Sequence, residues 1–194
     1  QAAHAVGLDA LESAAAILAH LSSEGFGTGD ELPDAAQLAA RVCEGKSEPF
    51  LALEDYTRLF DALPQAARGQ VTAAWGPPED ETDLAGGQFV LRYQQLGNFL
   101  VALQPGRGRA RDRKASYHDP DLPPRHAYVA FYLWLREVEQ IDALIHLGTH
   151  GTLEWLPGKA VALSGSCFPP LLTGPVPVVY PFIVNNPGEA AAAK

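Results

Sequence analysis

Methionine is absent from all 194 residues, cysteine occurs twice, and nowhere do eighteen apolar residues follow one another. The two cysteines, Cys43 and Cys167, stand far apart and outside any C-x-x-C pattern. That argues against a disulfide scaffold or a thiolate zinc site and points to a reducing cytoplasm. Without a long apolar run or a basic-then-apolar beginning, nothing marks a membrane span or a secretion signal. Positive charge is also short. The 14 Lys and Arg against 23 Asp and Glu leave a formal net charge of -9, which disfavours general nucleic-acid binding but still allows a local basic cluster to meet an anion. Because position 1 is not methionine either and the sequence stops at EAAAAK in the middle of a helical pattern, an internal piece of a longer protein is expected.

Several catalytic signatures are missing too. There is no G-x-G-x-x-G, and the Gly-Lys pair in LPGKAV has Leu153 five positions before Gly158 and Ala160 after Lys159, so it is no phosphate loop. Any ATP is therefore expected to be hydrolysed elsewhere. SGSC lacks the flanking glycines of a nucleophile elbow, and the helical zinc-hydrolase pattern H-E-x-x-H does not occur.

What is present is enough apolar residues, 47% of the chain, for a core of one large domain or two small ones. Apolar positions recur at helical spacing from Leu8 to Leu21, and helices are expected from Pro33 to Cys43, from Glu54 to Leu63 and from Pro64 to Trp75. Beyond the polar stretch EDETDLAGG, strands are expected over Gln88 to Gln94 and Asn98 to Gln104, a helix over His126 to Val138, and a strand over Ala143 to Leu147. The helix is apolar over much of its girth and reads as a crossover in a β-α-β unit. AVAL, before Ser164, reads as a short strand, SGSCFPPLLTGPVP as irregular, and Val178 to Val184 as a strand followed by a helix that Asn186 caps. The fold class expected is α/β: a mostly parallel sheet with flanking helices and a helical N-terminal third. Residues 1–80 form the helical segment and 81–194 the α/β segment, in one domain or two.

The chemistry concentrates between Ile141 and Lys159. An apolar strand breaks at Gly148 and resumes as a helix start over Thr149 to Trp155, which sets His146, His150 and Glu154 four residues apart at a strand-to-helix junction. Open α/β sheets carry their sites just beyond such strand ends. Two imidazoles and a carboxylate there suit a divalent metal or proton transfer, whereas the ordinary alternative for each histidine is a core or cap residue making hydrogen bonds. A second concentration is the loop with Arg107, Arg109, Arg111, Arg113 and Lys114, followed by Tyr117, His118, Asp119 and His126. It is either a solvated charge run or a clamp for carboxylates, which guanidinium forks fit.

HLGTHGTLEWLPGK is long and distinctive. With GNFLVALQP, YHDPDLPPRHAYVAFYLWLRE, YPFIVNNPGEAAAAK and, more loosely, VGLDALESAAAIL, it resembles the large subunits of the CobN/magnesium chelatase family. These insert a divalent ion into a tetrapyrrole. EWLPGK and YHDPDLPP are closer to the cobalt branch. The resemblance covers nearly the whole chain and implies a part of a cobaltochelatase, a ligase forming nitrogen-metal bonds, that places Co2+ in hydrogenobyrinic acid a,c-diamide during cobalamin biosynthesis. It also implies that ATP is used by an AAA+ ATPase and a companion subunit, and that the remainder of the polypeptide completes the pocket. The magnesium branch would place Mg2+ in protoporphyrin IX.

On that resemblance His146 and His150 hold or guide the ion, and Glu154 takes a ring proton or completes the metal site, with His150 and Glu154 as the catalytic pair. His126, which matches a histidine in both branches, is a further metal candidate, and His118 follows it. Arg107, Arg109 and Arg111 grip peripheral carboxylates, and Trp155 packs on the macrocycle. The alternatives are a stand-alone metal-dependent hydrolase using the same histidines and a noncatalytic docking segment.

Overall fold

The helix His126–Leu133 has no wet side: all 8 of its residues are buried. A helix apolar around its whole girth is stable only when other elements close over every face. Those elements are seen in a computed structural model that describes residues 4–5, 8–108, 119–148, 152–159 and 164–181.

At the start, strands β1 (His4–Ala5) and β2 (Leu8–Asp9) pair antiparallel and lead into α1 (Ala10–Ser23), where the Asp9 side chain caps the helix by accepting from the amides of Leu11 and Glu12. Helix α2 (Ala35–Leu38) opens with a capping box between Asp34 and Gln37 and passes into a π-helical turn, Ala39–Cys43. Strand β3 (Glu48–Ala52) runs directly into α3 (Leu53–Asp61). Helix α4 (Gln65–Trp75) follows Pro64 and stops at Gly76, whose φ of 84° a residue with a side chain rarely adopts. The expected helices of the N-terminal third are therefore present, and β3, which sequence patterning did not show, lies among them.

β4 (Leu84–Ala85) and β5 (Gln88–Leu91) join β3 in an antiparallel sheet of order β3-β5-β4, with Glu48 opposite Leu91. β6 (Tyr93–Leu96) and β7 (Phe99–Ala102) form a separate hairpin around Gly97 and Asn98. The turn needs glycine at its first position, because φ is 55° there and a Cβ would sit 2.3 Å from the Gly27 carbonyl oxygen. After the central helix, α5 (His126–Leu133), the chain continues as a π-helical turn, Trp134–Val138. β8 (Leu144–Ile145) then pairs parallel with β9 (Val178–Val179), and α6 (Phe168–Thr173) packs against α5 between them in sequence.

The sheet expectation is thus corrected. Among the described residues three of the four small sheets are antiparallel and only β8-β9 is parallel. β7 pairs with β6 rather than with β8, so β7-α5-β8 is not a β-α-β unit. The strand expected through Gln94 is interrupted at Arg92, and the stretch expected to be irregular holds α6. The fold is mixed helix and sheet built around α5. Tyr56 and Phe60 of α3, Phe89 of β5 and Phe168 of α6 share one core with it, drawn from both sides of residue 80. Trp134 continues that core, 5.0 Å from Phe50 and 5.4 Å from Tyr93 between ring centroids. Each such buried side chain contributes roughly 1.5–3 kcal/mol of transfer free energy. AVAL and the capped helix after Val184 lie outside the described residues. No helix among the described residues is long and apolar enough to cross a membrane.

Candidate functional site

The parallel pair β8-β9 aligns two stretches far apart in sequence. The amide of Leu144 donates to the Pro177 carbonyl and that of His146 to the Val179 carbonyl, both at 2.9 Å. His146 and Tyr180, each immediately after its strand, therefore come side by side, with ring centroids 4.8 Å apart. Tyr180 donates its hydroxyl to Oε1 of Glu154 at 3.2 Å. A histidine, a tyrosine and a carboxylate thus meet beyond the carboxyl ends of adjacent parallel strands, where such sheets place ligands.

Glu154 is set by a turn fastened on three sides. The helix expected from Thr149 is, in its described part, a 3-10 turn, Leu153–Trp155, with Leu153 and Leu156 sunk into the core. On one side the Thr152 hydroxyl lies 3.2 Å from Gln104 Oε1 and 3.0 Å from the Tyr128 hydroxyl. The Gln104 amide in turn donates to the hydroxyls of Tyr128 (2.9 Å) and Tyr132 (2.5 Å). This buried polar group is satisfied within itself, which makes it rigid rather than costly. Burial, and to a lesser extent the Glu154 carboxylate nearby, push both phenols above their ordinary pKa, so they remain protonated. On another side Arg107 donates to the Trp155 carbonyl at 2.9 Å. Behind the turn Phe168 donates its amide to the Pro157 carbonyl at 3.0 Å.

Among the described residues His146 keeps an imidazole nitrogen unengaged. Its Nδ1 is buried and has no hydrogen-bond partner among the described residues. Burial holds its pKa down to about 4, so the imidazole is neutral near pH 7 and keeps a lone pair for a metal.

Two expected site residues have other work. His126, proposed as a ligand, is a core residue whose Nδ1 lies 2.6 Å from the Tyr56 hydroxyl and whose Nε2 lies 3.0 Å from the Gly76 carbonyl oxygen. Burial lowers its pKa, so the ring is neutral: Nε2–H donates to the carbonyl, Nδ1 accepts from the phenol, and neither nitrogen is left for a metal. Arg107, expected to grip a substrate carboxylate, is 2% exposed and donates to the backbone carbonyls of Trp155, Asp119 (2.7 Å) and Leu122. It ties the loop before α5 to the turn carrying Glu154. Sequence spacing showed a cationic loop but not which guanidinium would be spent on backbone.

His150, Arg109, Arg111 and His118 lie outside the described residues. Among the described residues no three His, Cys, Asp or Glu side chains are grouped to hold a metal ion, so His126, His146 and Glu154 do not close a site by themselves. Trp155 lies on the same turn as Glu154 and is half-buried. Tyr180, Thr152 and Gln104 were missed from sequence. A signal for Tyr180 did exist, since it carries the one polar side-chain group in the apolar run Val178 to Val184, but pairing of that run with β8 is a long-range fact.

The profile of a family described as CobN/Magnesium Chelatase matches residues 1–194. The aerobic cobaltochelatase subunit CobN of Pseudomonas aeruginosa is 44% identical over 201 residues, covering 97% of this chain and 16% of that protein. The magnesium-chelatase subunit ChlH of Oryza sativa is 31% identical over 194 residues, covering 96% of this chain and 14% of that protein. The solved catalytic subunit of cobaltochelatase from Mycobacterium tuberculosis superposes with a TM-score of 0.81 at 38% identity, over 97% of this chain and 17% of that one. The chain thus spans about a sixth of the length of the cobaltochelatase relatives it matches.

Proposed function

Since the chain belongs to the CobN/magnesium chelatase family, we propose that it forms the metal-handling part of an ATP-dependent cobaltochelatase inserting Co2+ into hydrogenobyrinic acid a,c-diamide. The greater identity to the cobaltochelatase subunit, 44% against 31% at nearly equal coverage of the chain, favours cobalt over magnesium. The observation that carries the reading is the neutral, half-buried His146, whose Nδ1 is enclosed and unengaged, set beside Tyr180 and through it Glu154.

Insertion must strip water from the ion and protons from the ring. Imidazole and carboxylate hold Co2+ without the grip of thiolates and so can release it. His146, with His150, receives the hydrated ion and directs it to the ring. For each ring N–H bond that breaks, a nitrogen–cobalt bond forms with the electron pair left on nitrogen, and the proton passes to the Glu154 carboxylate and on to water. Arg109, Arg111 and His118 bind the ring's peripheral carboxylates, and Trp155 packs against its face. Arg107 serves this site by holding the turn. ATP is hydrolysed by an AAA+ partner with its companion subunit, in the cytoplasm, and the remainder of the polypeptide closes the pocket.

The test is Glu154→Gln in the full-length protein assayed with its partners. Insertion should be abolished while tetrapyrrole binding, read by absorbance, stays nearly intact; normal turnover removes Glu154 from the reaction. The same assay run with Mg2+ in place of Co2+ decides the branch. This chain alone should give no product with cobalt, ring and ATP. Tight zinc binding with ester turnover by the chain alone would favour a hydrolase instead.

A further inference from the structure

Resting on that reading, we propose that Tyr180 is the positioning residue of the insertion reaction: its ring fixes the His146 imidazole and its hydroxyl fixes the Glu154 carboxylate. These two groups come from the strand end and from the turn that follows it, and among the described residues Tyr180 touches both, at 4.8 Å ring to ring and 3.2 Å hydroxyl to oxygen. Its own place is set by backbone, because the hydrogen bond from the His146 amide to the Val179 carbonyl locks β9 against β8 one residue before it. A carboxylate that takes protons works only when its oxygen points at the proton, and a donor on one oxygen fixes that direction. A 3.2 Å contact is long for O–H···O, so it aims Glu154 without binding it too firmly to exchange a proton. The flat ring beside His146 restricts the swing of the imidazole in the same way.

The two roles separate in kinetics on the full-length protein with its ATPase partners. Tyr180→Phe removes only the hydroxyl and should lower kcat about tenfold, the factor expected for a hydrogen bond to a charged acceptor, with KM for cobalt changed less than about twofold. Tyr180→Leu removes the ring as well and should add a rise of about tenfold in KM for cobalt. A merely structural tyrosine would lower the yield and the denaturation midpoint without separating kcat from KM. Site-specific 3-fluorotyrosine at 180 keeps the fold and strengthens the donor, so it keeps the idea testable if Tyr180→Phe folds poorly; kcat should change while KM does not. Wild-type kcat in Tyr180→Phe and in the fluorotyrosine protein, alongside a dead Glu154→Gln enzyme, overturns the role of Tyr180 alone. An active Glu154→Gln enzyme overturns the underlying reading as well.

Discussion

The Tyr56 hydroxyl on α3 lies 2.6 Å from Nδ1 of His126 at the start of α5, a contact between residues 70 positions apart. It closes a chain that runs from the phenol through the imidazole to the Gly76 carbonyl at the end of α4, so three helices are joined by one buried histidine. Tyr56→Phe leaves Nδ1 buried without a donor and should cost roughly 1–3 kcal/mol of stability. Denaturant midpoints measure this, and cobalt affinity should stay unchanged in the same variant. A loss of cobalt affinity with stability intact would return His126 to the metal site.

Arg107 gives a parallel contrast between structure and binding. Lysine at this position keeps the charge but cannot fork to three carbonyls, so Arg107→Lys should destabilise by roughly 1–3 kcal/mol for each carbonyl left without a donor. The drop should appear in the substrate-free protein. If Arg107 instead gripped the ring, the variant would lose tetrapyrrole affinity at an unchanged midpoint.

Acid should act through His146. Its folded pKa of about 4 lies below the ordinary value of 6.5, so between those limits the unfolded chain binds a proton that the native site refuses. Stability contributed by the neutral ring is therefore complete above pH 6.5, falls as the pH drops from 6.5 toward 4 by up to roughly 3 kcal/mol, and levels off below. Burial lowers the His126 pKa too, so the wild-type slope includes both rings. Urea midpoints at pH 7 and pH 5 should show a smaller drop for His146→Asn than for wild type. Equal drops would mean that His146 is not held neutral by the fold.

Gly158 ends the turn that carries Glu154, and its φ of 146° already disfavours a side chain. An added Cβ would sit 2.6 Å from Cβ of Cys167. Gly158→Ala should lower stability by roughly 1–3 kcal/mol, whereas Gly165→Ala, whose Cβ meets nothing within 4 Å, should be close to neutral. The pair can be read in one thermal denaturation series.

Local pattern alone determined α1, α3, α4 and α5, because helical spacing, prolines and stopping glycines act over a few residues. It could not assign strand partners. A strand's alternation says which face is buried but not which neighbour lies beside it, so the β3-β5 pairing across some forty residues and the parallel β8-β9 pair were decided by closure around α5. The same holds for the site. Arg107 and His126 looked like free binding groups in sequence, and only packing turned them inward to unpaired backbone and a phenol, while bringing Tyr180 out of a distant strand to join His146 to Glu154.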